Sequence, residues 1–378
     1  MGHENNVCIQ GARRWHSLTG HTLIVGAGIS GLSVAWALLQ RGHAVTVLDR
    51  GAAGRESSWA GGGILSPLLP WDYAEPVSAL ALRSMAAYAG WVADIESTSR
   101  LDAELWQCGM LALDVAAPEQ ALAWCAAHGM AALRDDPDAL NTLGGGHRIW
   151  LPGVAQVRNP RLVAALRAAV VQSGGAIHEH CPAVGVVARN RRVTAVQTPT
   201  GTFQADNVVL ATGAWSGLGL AELAATPKIR PMRGQMLLFK LAPGVLNTVL
   251  FRHGLYLIPR RDGHVLAGST IEDAGFDNTT DDATRQRLHA DAAALLPQLA
   301  DLQPIRHWAG LRPGSPDNIP VIDRHPDFDN VLINAGHFRY GVTMAPASAE
   351  LLVNLMEGAA PALDPAPYRW QAAQARAW

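Results

Sequence analysis

The chain has 378 residues, 49% hydrophobic and only 16% charged. This length suggests about two domains with a large buried core, and the composition excludes intrinsic disorder as the main state. Thirty Lys and Arg against 32 Asp and Glu leave a net charge of −2, without the cationic surplus that a nucleic-acid partner requires. Cys8, Cys108, Cys125 and Cys181 show no CxxC spacing and are too few for a disulfide scaffold or an expected metal site. They read as reduced thiols of a cytoplasmic protein, with Cys181 a small buried hydrophobe. No apolar run approaches the roughly 20 residues that span a bilayer, so no membrane partner is expected.

Residues 1–20 read as a polar extension. Arg13-Arg14 within it resembles the start of a twin-arginine export signal, but the following apolar run, Leu23 to Leu39, has glycines that better suit a nucleotide-binding turn. Thr22 to Val25 reads as a buried strand. Ile29 to Gln40 reads as a helix, closed at Gly42 where a left-handed cap is favoured. Ala44 to Leu48 is a second strand, ended by Asp49. Together they make a βαβ unit, followed by the Gly/Ser-rich stretch Gly51 to Gly63. Asn159-Pro160 reads as a helix start, with Asn capping and Pro in the first turn. That helix, Arg161 to Gln172, ends at Gly174-Gly175. Short strands are expected from Ala176 to Thr212, with turns at Asn190 and Thr200-Gly201. Lys228 to Ser269 suggests an antiparallel sheet. Asp282 to Leu296 reads as an amphipathic helix, Val331 to Asn334 as a strand, and Val342 to Met356 as a final helix.

Gly26-Ala27-Gly28-Ile29-Ser30-Gly31 is a GxGxxG between strand and helix. Gly26 makes the tight turn, Gly28 lets backbone approach a pyrophosphate, and Gly31 lets the helix pack close to the strand. The helix N-terminus supplies free N–H groups and partial positive charge. Asp49, 18 residues after Gly31, would accept from ribose hydroxyls and disfavours a 2′-phosphate. The fingerprint does not separate NAD from FAD. Three later features favour FAD. Gly54 to Gly63 has small residues suited to lying flat against a ring system. Asn207 to Trp215 is a strand ending in Ala211-Thr212-Gly213. Val331 to Met356 is a second strand–glycine–helix arrangement, whose helix N-terminus suits the negative charge a flavin gains on reduction.

GAGISG, GRESSWAGGGIL, ATGAWS, YLIPRRDGHVLAGST, HWAGLRPGSPD and AGHFRYG, read in order, resemble the FAD-dependent amine and amino-acid oxidases. This is the family of D-amino-acid oxidase and sarcosine oxidase, and the likeness is strongest to its glycine-oxidising branch of bacterial thiazole (thiamine) biosynthesis. It runs from about Thr22 to Met356. It implies an α/β chain in which a Rossmann-like FAD-binding domain (21–70, 155–220 and 310–360) is interleaved with an antiparallel-sheet substrate domain (71–154 and 221–309). Residues 361–378 are left as a C-terminal tail. A homo-oligomer, typically a tetramer, is implied. No Cys follows Cys181, so the covalent flavin link of sarcosine oxidases has no counterpart and FAD is expected to be noncovalent.

The implied reaction oxidises glycine, sarcosine or D-alanine to the imine, with oxygen as acceptor and hydrogen peroxide as product. The imine is hydrolysed or passed to a thiazole synthase. Transfer from a neutral amine needs no acid or base, but it does need a carboxylate clamp, for which a guanidinium fork is suited. The resemblance assigns that clamp to Arg312, with Tyr256 touching the carboxylate and Arg339 beside the flavin. Ile271 matches a pocket-wall position that helps restrict side-chain size; a plain core Ile reads nearly as well. For FAD it assigns Gly26, Gly28, Ile29, Ser30 and Gly31 to the pyrophosphate turn and Asp49 and Arg50 to the ribose. Glu56 and Ser57 fall near the pyrophosphate. Gly62, Gly63 and Ile64 fall under the ring, and Gly213 lies on the Ala-Thr-Gly strand end. Ala183 or Val184 contacts adenine, and His337, Phe338, Arg339, Tyr340, Gly341, Val342 and Thr343 wrap the pyrimidine edge. Two other readings stand beside this one. One is a D-amino-acid dehydrogenase passing electrons to a quinone. The other is a non-catalytic flavoprotein module of the thiazole assembly.

Overall fold

The computed structural model describes residues 20–134 and 146–378. Cys8, Arg13-Arg14 and all but the last residue of the expected N-terminal extension lie outside them. The expected βαβ unit is present as β1 (His21–Val25), α1 (Ile29–Gln40) and β2 (Ala44–Leu48). Its two strands pair in parallel, His21 opposite Ala44 and Val25 opposite Leu48. Gly42, at φ +81°, takes the left-handed turn that separates α1 from β2.

β1 and β2 lie within a six-stranded sheet. In order across it, the strands are Val321–Arg324, Val331–Ala335, Asn207–Leu210, β1, β2 and Ala176–His178. All neighbours pair in parallel except Val321–Arg324, which returns antiparallel beside Val331–Ala335. The carboxyl ends of β1, Asn207–Leu210 and Val331–Ala335 each lead into a glycine, respectively Gly26, Gly213 and Gly336. This is the edge of an open α/β sheet where ligands bind. A second sheet of seven strands is antiparallel through the paired strands Arg306–Gly314, Arg230–Lys240, His264–Gly268, Leu255–Pro259 and Val249–Arg252. This matches the reading of Lys228 to Ser269. Its far edge adds Met110–Ala112, parallel to Val249–Arg252, and Ile149–Leu151.

The helices Asp282–Leu295 and Gly341–Glu357 lie within a residue of their expected bounds. One expectation fails at Asn159. The helix begins at Asn159 itself with Arg158 at the N-cap and no side-chain cap. Asn159 is fully buried, and its Nδ2 instead donates to the Ser58 carbonyl at 3.0 Å. The expected tail carries a helix, Trp370–Ala375, whose Trp370 N–H donates to Asp323 Oδ2 at 2.8 Å. Cys108, Cys125 and Cys181 are buried free thiols. Among the described residues, no helix is long and apolar enough to cross a membrane, and no cluster of His, Cys, Asp and Glu could hold a metal ion.

Candidate functional site

One long cavity runs along the glycine-bearing edge of the parallel sheet and reaches the antiparallel sheet. It begins at Asp49, Arg50, Pro182 and Ala183, passes Gly26, Gly28, Ile29, Ser30, Glu56 and Ser57, and continues along Gly62, Gly63, Ile64 and Gly213. It also takes in Tyr256, Ser269, Arg312 and the run His337 to Thr343. The structure thus gathers residues from five distant stretches of sequence into one groove.

The three glycines of the turn do different work. Gly26 has φ +107°, and a Cβ there would overlap the Ala211 carbonyl. A Cβ on Gly31 would overlap the Gly26 carbonyl, so Gly31 serves helix–strand packing and does not line the cavity. A Cβ on Gly28 would meet only Ser58 Oγ, at 3.1 Å; its other side is open groove. The Ile29 N–H is already taken by Ser58 Oγ at 2.9 Å. Among the described residues, the Ser30 and Gly31 N–H groups have no acceptor, so the positive end of α1 faces the groove uncapped. The same holds at the helix Gly341–Glu357, which has no side-chain cap. Among the described residues the N–H groups of Gly341, Val342 and Thr343 have no acceptor, and all three residues line the cavity.

Asp49 is half spent within the fold. Its Oδ2 accepts from the Ala27 N–H at 2.6 Å and its Oδ1 from the Gly51 N–H at 2.8 Å. Burial raises its pKa, against the lowering effect of these two bonds. Each oxygen keeps lone-pair capacity for a hydroxyl donor. Arg50 lies over the Trp215 ring at 3.4 Å and pairs with Glu56 at 3.0 Å. Of the two adenine candidates, Ala183 lines the groove and Val184 does not. Val184 is 52% exposed, and its N–H is taken by the Gln197 carbonyl at 2.9 Å.

At the other end, Arg312 Nη1 donates to the Thr270 carbonyl at 3.1 Å and Nη2 to Ser269 Oγ at 2.6 Å. Burial, and the like charge of Arg339, lower the Arg312 pKa, while Tyr256 works in the opposite direction. Gly234, opposite Gly310 on the neighbouring strand, makes room for the guanidinium: a Cβ there would overlap Nη1, Nη2 and Cζ. Arg339 lines the cavity, and among the described residues its guanidinium takes no hydrogen bond or ion pair. Two cations at one end of a groove, with most of their donors free, make a site for an anion. His337 is buried, which pulls its pKa down to about 4. It is therefore neutral at neutral pH, with Nδ1 3.4 Å from Ser30 Oγ and Nε2 without a partner. Tyr340, also buried, shares a hydroxyl–hydroxyl hydrogen bond with Tyr73.

Ile271 is a correction. It is 47% exposed, lies outside the cavity lining and is neither a pocket wall nor core. Thr270 and Glu272 turn inward to bond each other and Gln235, and alternation along the extended chain sends Ile271 outward. Sequence reasoning missed Ser269, Gly234, Trp215 and Trp370; the last lines the groove from the expected tail. Only Gly234 carried a signal, a glycine inside a strand pattern, which marks a close approach.

A family model described as FAD dependent oxidoreductase matches residues 21–355. The chain belongs to the FAD-dependent oxidoreductases. This oxidoreductase is 44% identical over 359 residues to a glycine oxidase of Pseudomonas aeruginosa, an alignment covering 93% of the chain and 98% of the relative. It is 32% identical to the bifunctional protein ThiO/ThiG of Trichormus variabilis, covering 90% of the chain and 53% of that longer relative. The crystal structure of glycine oxidase from Geobacillus kaustophilus superposes with a TM-score of 0.87 at 25% identity, covering 93% of this chain and 99% of the other. FAD is the cofactor the family implies, and the groove fits it. Two uncapped helix N-termini suit its phosphates and its electron-accepting ring. Gly28 leaves backbone bare, and the buried His337 Nε2 is unpartnered.

Proposed function

We propose that this oxidoreductase oxidises glycine, together with small amines such as sarcosine or D-alanine, to the imine. The imine hydrolyses to glyoxylate and ammonia while oxygen becomes hydrogen peroxide. The observation that carries this reading is the meeting of Arg312, Arg339 and Tyr256 at one end of the FAD groove, in a chain so similar to a glycine oxidase. When bound, FAD accepts the two electrons of the substrate C–H bond and passes them to oxygen.

FAD is held noncovalently, and among the described residues no cysteine lines the groove. Asp49, Arg50 and Ala183 hold the adenosine half. Gly28 and Ser30, with Glu56 and Ser57 nearby, hold the pyrophosphate. Gly62, Gly63, Ile64 and the 337–343 turn hold the ring. The units 21–70, 155–220 and 310–360 supply most of this seat, and 71–154 with 221–309 supply the substrate side.

Arg312 binds the substrate carboxylate. Bonds to Thr270 O and Ser269 Oγ fix the guanidinium at the groove and leave it donors for a carboxylate. Arg339 adds a second charge, and the Tyr256 hydroxyl a third contact. An arriving carboxylate relieves the repulsion between the two guanidinium groups, so the site is stabilised by the substrate it selects. With the carboxylate fixed and one Cα–H directed at the ring, a side chain has one remaining direction. That admits glycine and one enantiomer of a larger amino acid, and the family resemblance makes that enantiomer the D form. His337 lines the ring as a neutral imidazole, and transfer from a neutral amine calls for no general base.

The relative that carries ThiO and ThiG in one chain supports passage of the imine to a thiazole synthase. A homo-oligomeric assembly accords with the family resemblance. Peroxide release from glycine, sarcosine, D-alanine, D-phenylalanine and L-alanine tests the substrate assignment. Glycine is expected to match or exceed D-alanine in kcat/KM, with no turnover of L-alanine. A bulky D-amino acid as best substrate overturns the assignment.

A further inference from the structure

The segment 58–64 crosses the groove as the short helix α2 (Ser57–Ala60) followed by three glycines. A one-turn helix leaves its last carbonyls without intrahelical partners, and a glycine run forms little ladder of its own. Every second carbonyl here is met by a side chain from a different part of the fold. Asn159 Nδ2 donates to Ser58 O at 3.0 Å, and Trp308 Nε1 to Ala60 O at 3.0 Å. Arg260 Nη2 donates to Gly62 O at 2.8 Å, and Thr343 Oγ1 to Ile64 O at 2.9 Å.

Arg260 stands out among the four. It is 4% exposed and does not line the groove. Its other acceptors are the Val157 carbonyl at 2.9 Å and Gln156 Oε1, both neutral. The carboxylates of Glu104 and Asp262 are bonded to Arg158 instead. Burial lowers its pKa to about 10, which still leaves it charged at neutral pH. A buried cation satisfied by neutral acceptors is costly, and a neutral amide could donate to the Gly62 carbonyl without that cost, though not to Val157 O and Gln156 Oε1 as well. What the amide would also lack is the charge.

We propose that Asn159, Trp308, Arg260 and Thr343 form a four-point carbonyl clamp that fixes the 58–64 backbone as the seat of the FAD ring. Arg260 is the positioning residue that also sets a permanent positive charge behind that seat. This rests on the FAD groove described above. The charge lies on the protein side of the Gly62 peptide and opposes the negative charge FAD gains on reduction, so it raises the flavin midpoint potential. The hydrogen bonds hold shape; the guanidinium tunes the electron affinity.

The test uses the full-length holoprotein and the variants Arg260→Gln, Arg260→Lys and Thr343→Val. Readouts are the FAD dissociation constant on reconstitution and the flavin midpoint potential. Arg260→Gln is expected to weaken FAD binding roughly ten- to hundredfold, as for loss of a charge-assisted hydrogen bond, and to make the potential more negative. Arg260→Lys restores the potential but not the affinity, because an ammonium keeps the charge without the fork. Thr343→Val weakens binding about three- to tenfold and leaves the potential in place. Wild-type affinity and potential in Arg260→Gln overturn the proposal. Should that variant fail to fold, wild-type FAD affinity in both Arg260→Lys and Thr343→Val overturns it, and weakened affinity in both supports it. A wild-type chain that retains no FAD refutes the groove assignment itself, a separate result.

Discussion

Replacing Arg312 with alanine removes the cation to which the substrate carboxylate binds. In the free protein the guanidinium is held by Thr270 O at 3.1 Å and Ser269 Oγ at 2.6 Å. Its orientation therefore exists before substrate arrives, and little ordering cost offsets the binding gain. Losing one member of such a charge pair is worth roughly 2–5 kcal/mol, or about 30-fold to several-thousand-fold in kcat/KM. Burial and Arg339 both work against the Arg312 charge, and a carboxylate relieves both, which places the expectation in the upper part of that range. Arg312→Lys regains only part of the loss, since an ammonium cannot pair with both oxygens. Gly234→Ala is the subtler probe. Its Cβ would occupy the space of the guanidinium, so the arginine is kept but displaced, and a loss of about tenfold or more is expected from misplacement alone. Steady-state peroxide assays with glycine measure all three variants. Glycinamide, which lacks the carboxylate, serves as the control: Arg312→Ala should affect it far less than glycine. Near-normal glycine kinetics in Arg312→Ala refute the clamp.

Acid or heat is expected to release all the flavin into solution, and Gly28→Val to abolish its retention because a branched side chain enters the pyrophosphate space; flavin that stays with precipitated protein contradicts the noncovalent assignment. His337 has its folded pKa depressed from 6.5 to about 4, so its contribution to stability is present above pH 6.5 and is lost as pH falls through that window. The shift of 6.5 − 4, or 2.5 units, corresponds to roughly 3 kcal/mol. His337→Gln should flatten melting temperature against pH between 7 and 4, and an unchanged profile would show that another group governs acid sensitivity. Ile271→Ala, at an exposed position outside the groove, should leave the ratio of glycine to D-alanine kcat/KM within about twofold, as surface substitutions do; a marked shift toward D-alanine would return Ile271 to the pocket.

The βαβ unit was legible because its information is local: a glycine spacing, a helical period and an acid at a strand end. The site's two ends were legible for a different reason, since the blocks around Arg312 and His337 resemble a known family. What escaped reading were pairings across the chain. Asn159 obeys the local rule for a helix cap, yet its side chain serves Ser58, a partner 101 residues away. Ile271 sits in a family block, but the bonds of Glu272 to Arg233 and Gln235 decide which way it faces. Trp370 reached the groove from a stretch with no periodic signal, because the strand Val321–Arg324 receives its helix. Hydrophobic period reports which face is buried, not which distant carbonyl a buried amide will find.

The most direct measurement is the absorbance spectrum of the purified protein under anaerobic conditions as glycine is added. Oxidised flavin bands are expected at the outset, then their bleaching by glycine, and their return with stoichiometric hydrogen peroxide when oxygen is admitted. Flavin bands that persist unchanged in saturating glycine would contradict it.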